Sequence, residues 1–426
     1  MDKRMKEWMD AAKQKFGLGS YYLHSYELYR EVMLLNETGY FLSMEWFPSH
    51  IADWEEDSNP EGTAVITVNL HTGQYKSVIF VGGKSCASET PFQDAGRNEV
   101  IRWMEAEAGI EYGKQFRLDM EQEGEYHFTA CIDGVPLSPG GRAELRFDAE
   151  GKLTFYSVYG TFPDRSLLEE ADDSFILTLE AAEPLAKKQL KLLELPLLEE
   201  QRIIPVYGLE EIYIANDGLS VIPFDIHRNT GMSVSLDKLM AWEQPATEQK
   251  PFERIELELH ETVTLEQAAS REPHPDSSPI TEEEQAMCIG AAEAALRQIY
   301  PQDSGQWVLK SLQRDRGYIQ AVLRPGTPSN RVFQRKLLLF LDSRQYTVIN
   351  YMDNAPLLSM FDDFQREEKV AVSHDEAYGK LKGRLELTPV YVYDPERKKY
   401  LLCGKLDCRY GVVGPSGDVV ELNRLQ

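Results

Sequence analysis

The sequence predicts an α+β fold, made of repeated units of one helix packed on a small antiparallel β-meander. Three observations predict it. Period-2 apolar runs recur around turns rich in Gly, Asn and Asp. A capped amphipathic helix recurs upstream of these hairpins. The order is one helix and then several strands, without the alternation of a doubly wound parallel sheet, so the helices should segregate to one sheet face.

The first unit opens with a helix over residues 3–16, where Met5, Met9 and Ala12 form a stripe. Tyr22, Tyr26 and Tyr29 then suit one helical face, whereas 40–47 alternates as a strand. Residues 65–70 lead through His71-Thr72-Gly73 into 74–78. The second unit has a helix over 94–108, with Val100, Ile101, Met104 and Ala108 at helical spacing, and a hairpin turning at Ala149-Glu150-Gly151. In the third, Thr178-Leu179-Glu180-Ala181-Ala182 opens a helix running towards Leu193, and a turn follows at Arg228-Asn229-Thr230-Gly231. In the fourth, Thr281 starts a helix towards Tyr300, and the turn Asp342-Ser343-Arg344-Gln345 lacks glycine. The last helix opens at Ser373, and its hairpin turns at Gly414-Pro415-Ser416-Gly417. Thr281 with Glu284, and Ser373 with Glu376, fit a capping box. Gly151 follows Gly73 by 78 residues and Gly231 follows Gly151 by 80.

Five helix-then-strand units result, at about 3–83, 90–162, 175–240, 280–354 and 370–424. Pro245, Pro251, Pro273, Pro275 and Pro279 cluster between the third and fourth, where 252–260 alternates as a short strand. The expected organisation is a first unit at 1–83, second and third units at 84–240, a Pro-rich linker at 241–279, and fourth and fifth units at 280–426.

Composition limits the function. The chain has 426 residues, with 45 Lys and Arg against 70 Asp and Glu, a net charge of −25. That disfavours nucleic-acid binding, which needs clustered cations to release counterions, and adhesion to an anionic membrane surface. Five scattered cysteines fit neither a disulfide scaffold nor a zinc knuckle; Cys403 and Cys408 are five apart. The N-terminal residues lack the apolar run of a secretory signal, and no stretch of about 18 apolar residues is present. The expectation is a cytoplasmic protein without membrane insertion.

Catalytic motifs are incomplete. His260-Glu261 begins like a zincin, but Thr264 stands where the second histidine belongs. Gly17-Leu18-Gly19 begins like a dinucleotide loop, but Tyr22 replaces its third glycine. Ser416 lies in a Gly-Pro-Ser-Gly turn without nucleophile-elbow spacing. His127 and Cys131 share a strand face but lack a third ligand, and His71 and His227 precede turns. Acidic clusters at 55–57, 169–173 and 362–363 read as solvated surface. No catalytic, cofactor-binding or metal residue is assigned, and no cofactor is expected. The aromatics at 21–47 mostly suit helix-on-sheet packing, and a minority suit a groove for a peptide or glycan.

The capped, alanine-bearing helix starts at 176–182 and 372–377, and the strand–turn–strand at 68–74, resemble the YcdB/YcdC-type repeat and the related PepSY-like domain of bacteria. Residues 132–137 with 143–151, and 387–393 with 400–402, resemble later parts of such repeats. The resemblance implies a non-catalytic binding or regulatory module. The expected function is therefore a non-enzymatic protein that captures a peptide or protein partner through exposed strand edges or a helix–sheet groove. The alternatives are a hydrolase with an unrecognised carboxylate site and a structural spacer.

Overall fold

The computed structural model describes residues 2–33, 36–51, 54, 58–92, 96–169, 174–218, 220–222, 233–243, 251–259, 261–367 and 369–425. The third-unit turn at 228–231 and the acidic cluster at 55–57 lie outside them, as do His227, His260 and residues 170–173.

Helix α1 (Lys3–Lys15) is capped by Asp2, whose carboxylate accepts the Arg4 N–H, and it buries Met5, Met9 and Ala12. It leads into β1 (Tyr21–Val32), β2 (Thr38–Pro48), β3 (Ala64–Asn69) and β4 (Tyr75–Phe80). Helix α2 (Arg97–Ala108) ends on Gly109, whose φ of +66° suits glycine. It precedes β5 (Phe116–Gln122), β6 (Glu125–Ile132), β7 (Val135–Ser138), β8 (Arg142–Phe147) and β9 (Leu153–Tyr159). Thr178 caps α3 (Leu179–Gln189), which is followed by β10 (Leu190–Leu197), β11 (Arg202–Leu209), β12 (Ile212–Ala215) and β13 (Val221–Ile222). Next come β14 (Ser233–Met240), the short α4 (Leu265–Ser270) and α5 (Glu282–Ile299), the last starting in the Thr281–Glu284 capping box. Strands β15 (Trp307–Asp315), β16 (Tyr318–Pro325), β17 (Leu337–Asp342) and β18 (Val348–Asp353) complete this run. The chain closes with α6 (Ala355–Leu358), β19 (Gln365–Arg366), α7 (His374–Leu381), β20 (Glu386–Asp394), β21 (Lys399–Asp407), β22 (Tyr410–Val413) and β23 (Val419–Glu421).

The expected α+β architecture, helices on separate small meanders, is not what forms. The protein is mainly β, and its strands merge into sheets of 13, five and five. The physical reason is the open edge. A small meander leaves unpaired N–H and C=O groups on its outer strands, and a neighbouring strand satisfies them. Strand β4 pairs antiparallel with β9 and fuses the first two runs into the continuous order β1-β2-β3-β4-β9-β8-β6, with β5 on β6. Strand β7 then pairs in parallel with β20, and the same sheet continues through β21 and β12 to β13. A second sheet runs β10-β11-β22-β23, with β19 on β11; the third is β14-β15-β16-β17-β18.

Two local expectations also change. The tyrosines of residues 22–29 lie on strand β1, which pairs along its length with β2; the helical spacing of three tyrosines did not outweigh that pairing. Residues 251–259 form no strand; Ile255 donates its N–H to the Ile349 carbonyl and accepts the Asn350 side-chain amide at 2.8 Å.

The turns follow side-chain chemistry. Asn69 Oδ1 accepts the N–H groups of His71 and Thr72, and Asp148 Oδ1 those of Glu150 and Lys152. Gly73, Gly151 and Gly417 take positive φ, and in the glycine-free turn Tyr346 does so at +53°. The Tyr346 hydroxyl donates to Glu284 at 2.8 Å, an anchor that offsets the unfavourable backbone.

Helices α1 and α2 share one core with β1–β6, β8 and β9, including Met9, Met44, Val78, Met104 and Tyr156. A second core lies between α5 and the five-stranded β14–β18 sheet. A third joins α3 and α7 through Ala186, Ala377, Leu381, Leu406 and Val412.

Candidate functional site

The sheets of the first two runs pair through few residues. Strands β4 and β9 pair at Ser77↔Ser157, Val78↔Tyr156 and Ile79↔Phe155. Beyond Ser77↔Ser157, residues 74–76 and 158–162 diverge and flank a cleft of about 370 Å³. That volume lies near the lower end of ligand-binding cavities. Phe41, Ile110, Val158 and Phe162 contribute apolar walls, with Met33 at the end of β1.

The end of α2 supplies partners where β9 turns away. Glu107 accepts the Tyr75 N–H at 3.2 Å and is ion-paired with Lys15; Gln74 donates its side-chain amide to the Ala108 carbonyl at 2.7 Å. At the cleft itself Lys76 Nζ meets Glu31 at 2.5 Å and lies 4.6 Å from the centre of the Phe41 ring. The ion pair is partly exposed and cancels its own charge. Tyr156, which also lines the cleft, is fully buried, and its hydroxyl makes no hydrogen bond among the described residues. Burial, and then the Glu107 charge, raise its phenol pKa, so it stays protonated. The same two causes push Tyr75 up to about 12. Tyr159 stands 73% exposed at the rim.

The residues weighed from sequence end up elsewhere. His127 Nε2 bonds Glu125 at 2.6 Å and faces Glu144 across the strands; the three offer ligand atoms within 4.8 Å of one another. Arg146 lies against both carboxylates and offsets part of their charge. Cys131 is no part of this group; it is buried, which raises its thiol pKa. His71 Nε2 lies 2.8 Å from the Ala268 carbonyl. All five cysteines are free thiols, four of them buried. Glu169 pairs with Arg397, and Asp362 and Asp363 are exposed. Of the aromatics at 21–47, Phe41 reaches the cleft, whereas Tyr21, Trp46 and Tyr40 pack in cores. Glu31 and Lys76 carry no sequence signal, because isolated charges on strands are common.

No family model and no curated protein matches this chain. Among solved structures it is similar to the Bacillus megaterium YpeB C-terminal domain, at 12% identity, covering 52% of this chain and 97% of that one, with a TM-score of 0.24. At that TM-score the likeness carries no argument, and the YcdB/YcdC-type resemblance receives no support from these comparisons. Among the described residues no helix is long and apolar enough to cross a membrane.

Proposed function

We propose that the chain is a non-enzymatic binding or regulatory protein that captures a peptide or protein partner, with the cleft between β4 and β9 as the capture site. The observation that carries this is the stop in pairing after Ser77↔Ser157, which leaves an apolar-walled cleft at the junction of two runs. Its charges, Glu31 and Lys76, neutralise each other, which favours an apolar side chain flanked by neutral backbone over an anion. The lining offers one carboxylate, bound to a lysine, and this favours binding over acid–base hydrolysis.

Selection of peptides from a random displayed library tests this. The wild type is expected to enrich peptides with a recurrent apolar anchor. Met33→Trp, which fills the cleft from its partly exposed wall, should weaken the selected peptides at least tenfold with an unchanged melting curve. Equal binding to Met33→Trp would place capture elsewhere and remove the proposal.

A further inference from the structure

A strap, residues 261–278, crosses from the fourth run onto the first and lies on the far side of the β1 end from the Glu31–Lys76 pair. Its centre is Arg30, whose side chain is only 3% exposed. The guanidinium is held by Glu261 through Nε at 3.0 and 3.1 Å, by Glu272 at 3.2 Å, and by the Pro273 carbonyl at 3.3 Å. Tyr40 donates its hydroxyl to the Glu272 carbonyl at 2.6 Å, and Thr38 Oγ1 accepts the His274 N–H at 2.7 Å. Between the two glutamates, Val263 just ahead of α4 and Ala268 within it pack against Tyr40, Leu28 and Leu70.

This docking resembles a bound ligand more than a core. The apolar cluster is small, with three buried residues, and meets the first-run core only at its margin, through Leu28, Leu70 and Leu265. Helix α4 has six residues, too few to persist unsupported. Glu261 and Glu272 remain 42% and 49% exposed although they neutralise a buried cation. The first run thus presents a groove with a buried arginine at its centre and an apolar floor. The strap shows what the groove fits: a short helix and the residue leading into it, with two apolar contacts and a glutamate on either side.

We propose that the Arg30 groove is a docking site for a partner's short, glutamate-flanked helix, and that the strap occupies it in cis as a replaceable cover. The site is separate from the β4/β9 cleft and stands without it. Because the strap is tethered, its effective concentration is high, and a free competitor binds the intact chain weakly. Loosening the strap removes that penalty, since apparent affinity scales with the fraction of open grooves.

The test uses full-length protein and a fluorescent synthetic peptide copying residues 259–278. Anisotropy should show at least tenfold tighter binding to the Glu261→Gln/Glu272→Gln variant, whose strap is weakened and whose groove is intact, than to the wild type. Adding Arg30→Gln to that variant should abolish the gain, while circular dichroism confirms that all three proteins are folded. Hydrogen exchange read on the same double variant should show faster exchange over 264–272 than over α1. Peptide binding that is absent from the double variant, or indifferent to Arg30→Gln, overturns the proposal, as does a strap that exchanges as slowly as α1.

Discussion

The β4–β9 seam and the β11–β22/β21–β12 crossings join helix-then-strand runs in two different ways. In the first, the two sheets meet in one short pairing centred on Val78↔Tyr156, over a core that α1 and α2 share. Those two residues are 78 apart, the same spacing as Gly73 and Gly151, so the pair sits on a local two-fold relation between the runs. In the second, the hairpin β10–β11 pairs with β22 and the hairpin β20–β21 pairs with β12. The chain changes sheets between Leu209 and Ile212, and again between Asp407 and Tyr410, so each run lends a hairpin to the other. Runs adjacent in sequence join edge to edge over a shared core. Runs separated by an inserted unit exchange strands, and the exchange makes them interdependent.

The sharpest way to break this comparison is a cavity in the exchanged core. Leu406 is fully buried and pairs with Ile212 of the other run. Leu406→Ala should cost about 2–5 kcal/mol. Hydrogen exchange should rise together in β10–β13 and in β20–β23. If only β20–β23 loosens, the two runs are not one cooperative unit.

A smaller effect isolates the inserted fourth run. Burial opposes ionisation of Glu284, but the Thr281 N–H, the Arg314 guanidinium and the Tyr346 hydroxyl outweigh it and hold the carboxyl down at about 2, against an ordinary 4.5. A depressed carboxyl stabilises fully above its unfolded value, and that stabilisation is lost as the pH falls from about 5 towards 2. Glu284→Gln should cost roughly 1–3 kcal/mol at neutral pH. It should also flatten the acid dependence of protection in β15–β18 and leave β3 and β8 unaffected. An unchanged acid profile in the variant would show that this network does not set the fourth run's stability.

The smallest effect lies at the seam. Tyr156→Phe removes a buried hydroxyl that has no partner among the described residues, so chemical denaturation should show a change within about 1 kcal/mol, neutral or stabilising. A loss well beyond that would mean the hydroxyl is engaged.

Local chemistry was readable in the sequence; pairing between distant strands was not. The caps at Thr178, Thr281 and Ser373 and the turns at Gly73, Gly151 and Gly417 depend on residues within one turn of each other, and each is present. Tyr346 escaped notice because its positive φ is supported by Glu284, 62 residues away. The merging of meanders into a 13-stranded sheet escaped for the same reason: β7–β20 and β12–β21 are long-range pairings with no local signature. Within the candidate site, the aromatic excess at 40–47 pointed towards Phe41. The cleft itself depends on where β4 and β9 separate, and alternation along each strand is silent on that.

The most direct test of the central claim is hydrogen exchange of the full chain with and without a library-selected peptide. Exchange over 74–76 and 158–162 should slow when the peptide binds, and the slowing should be lost in Met33→Trp. Slowed exchange confined to other strands, or none at all with the peptide bound, would contradict it.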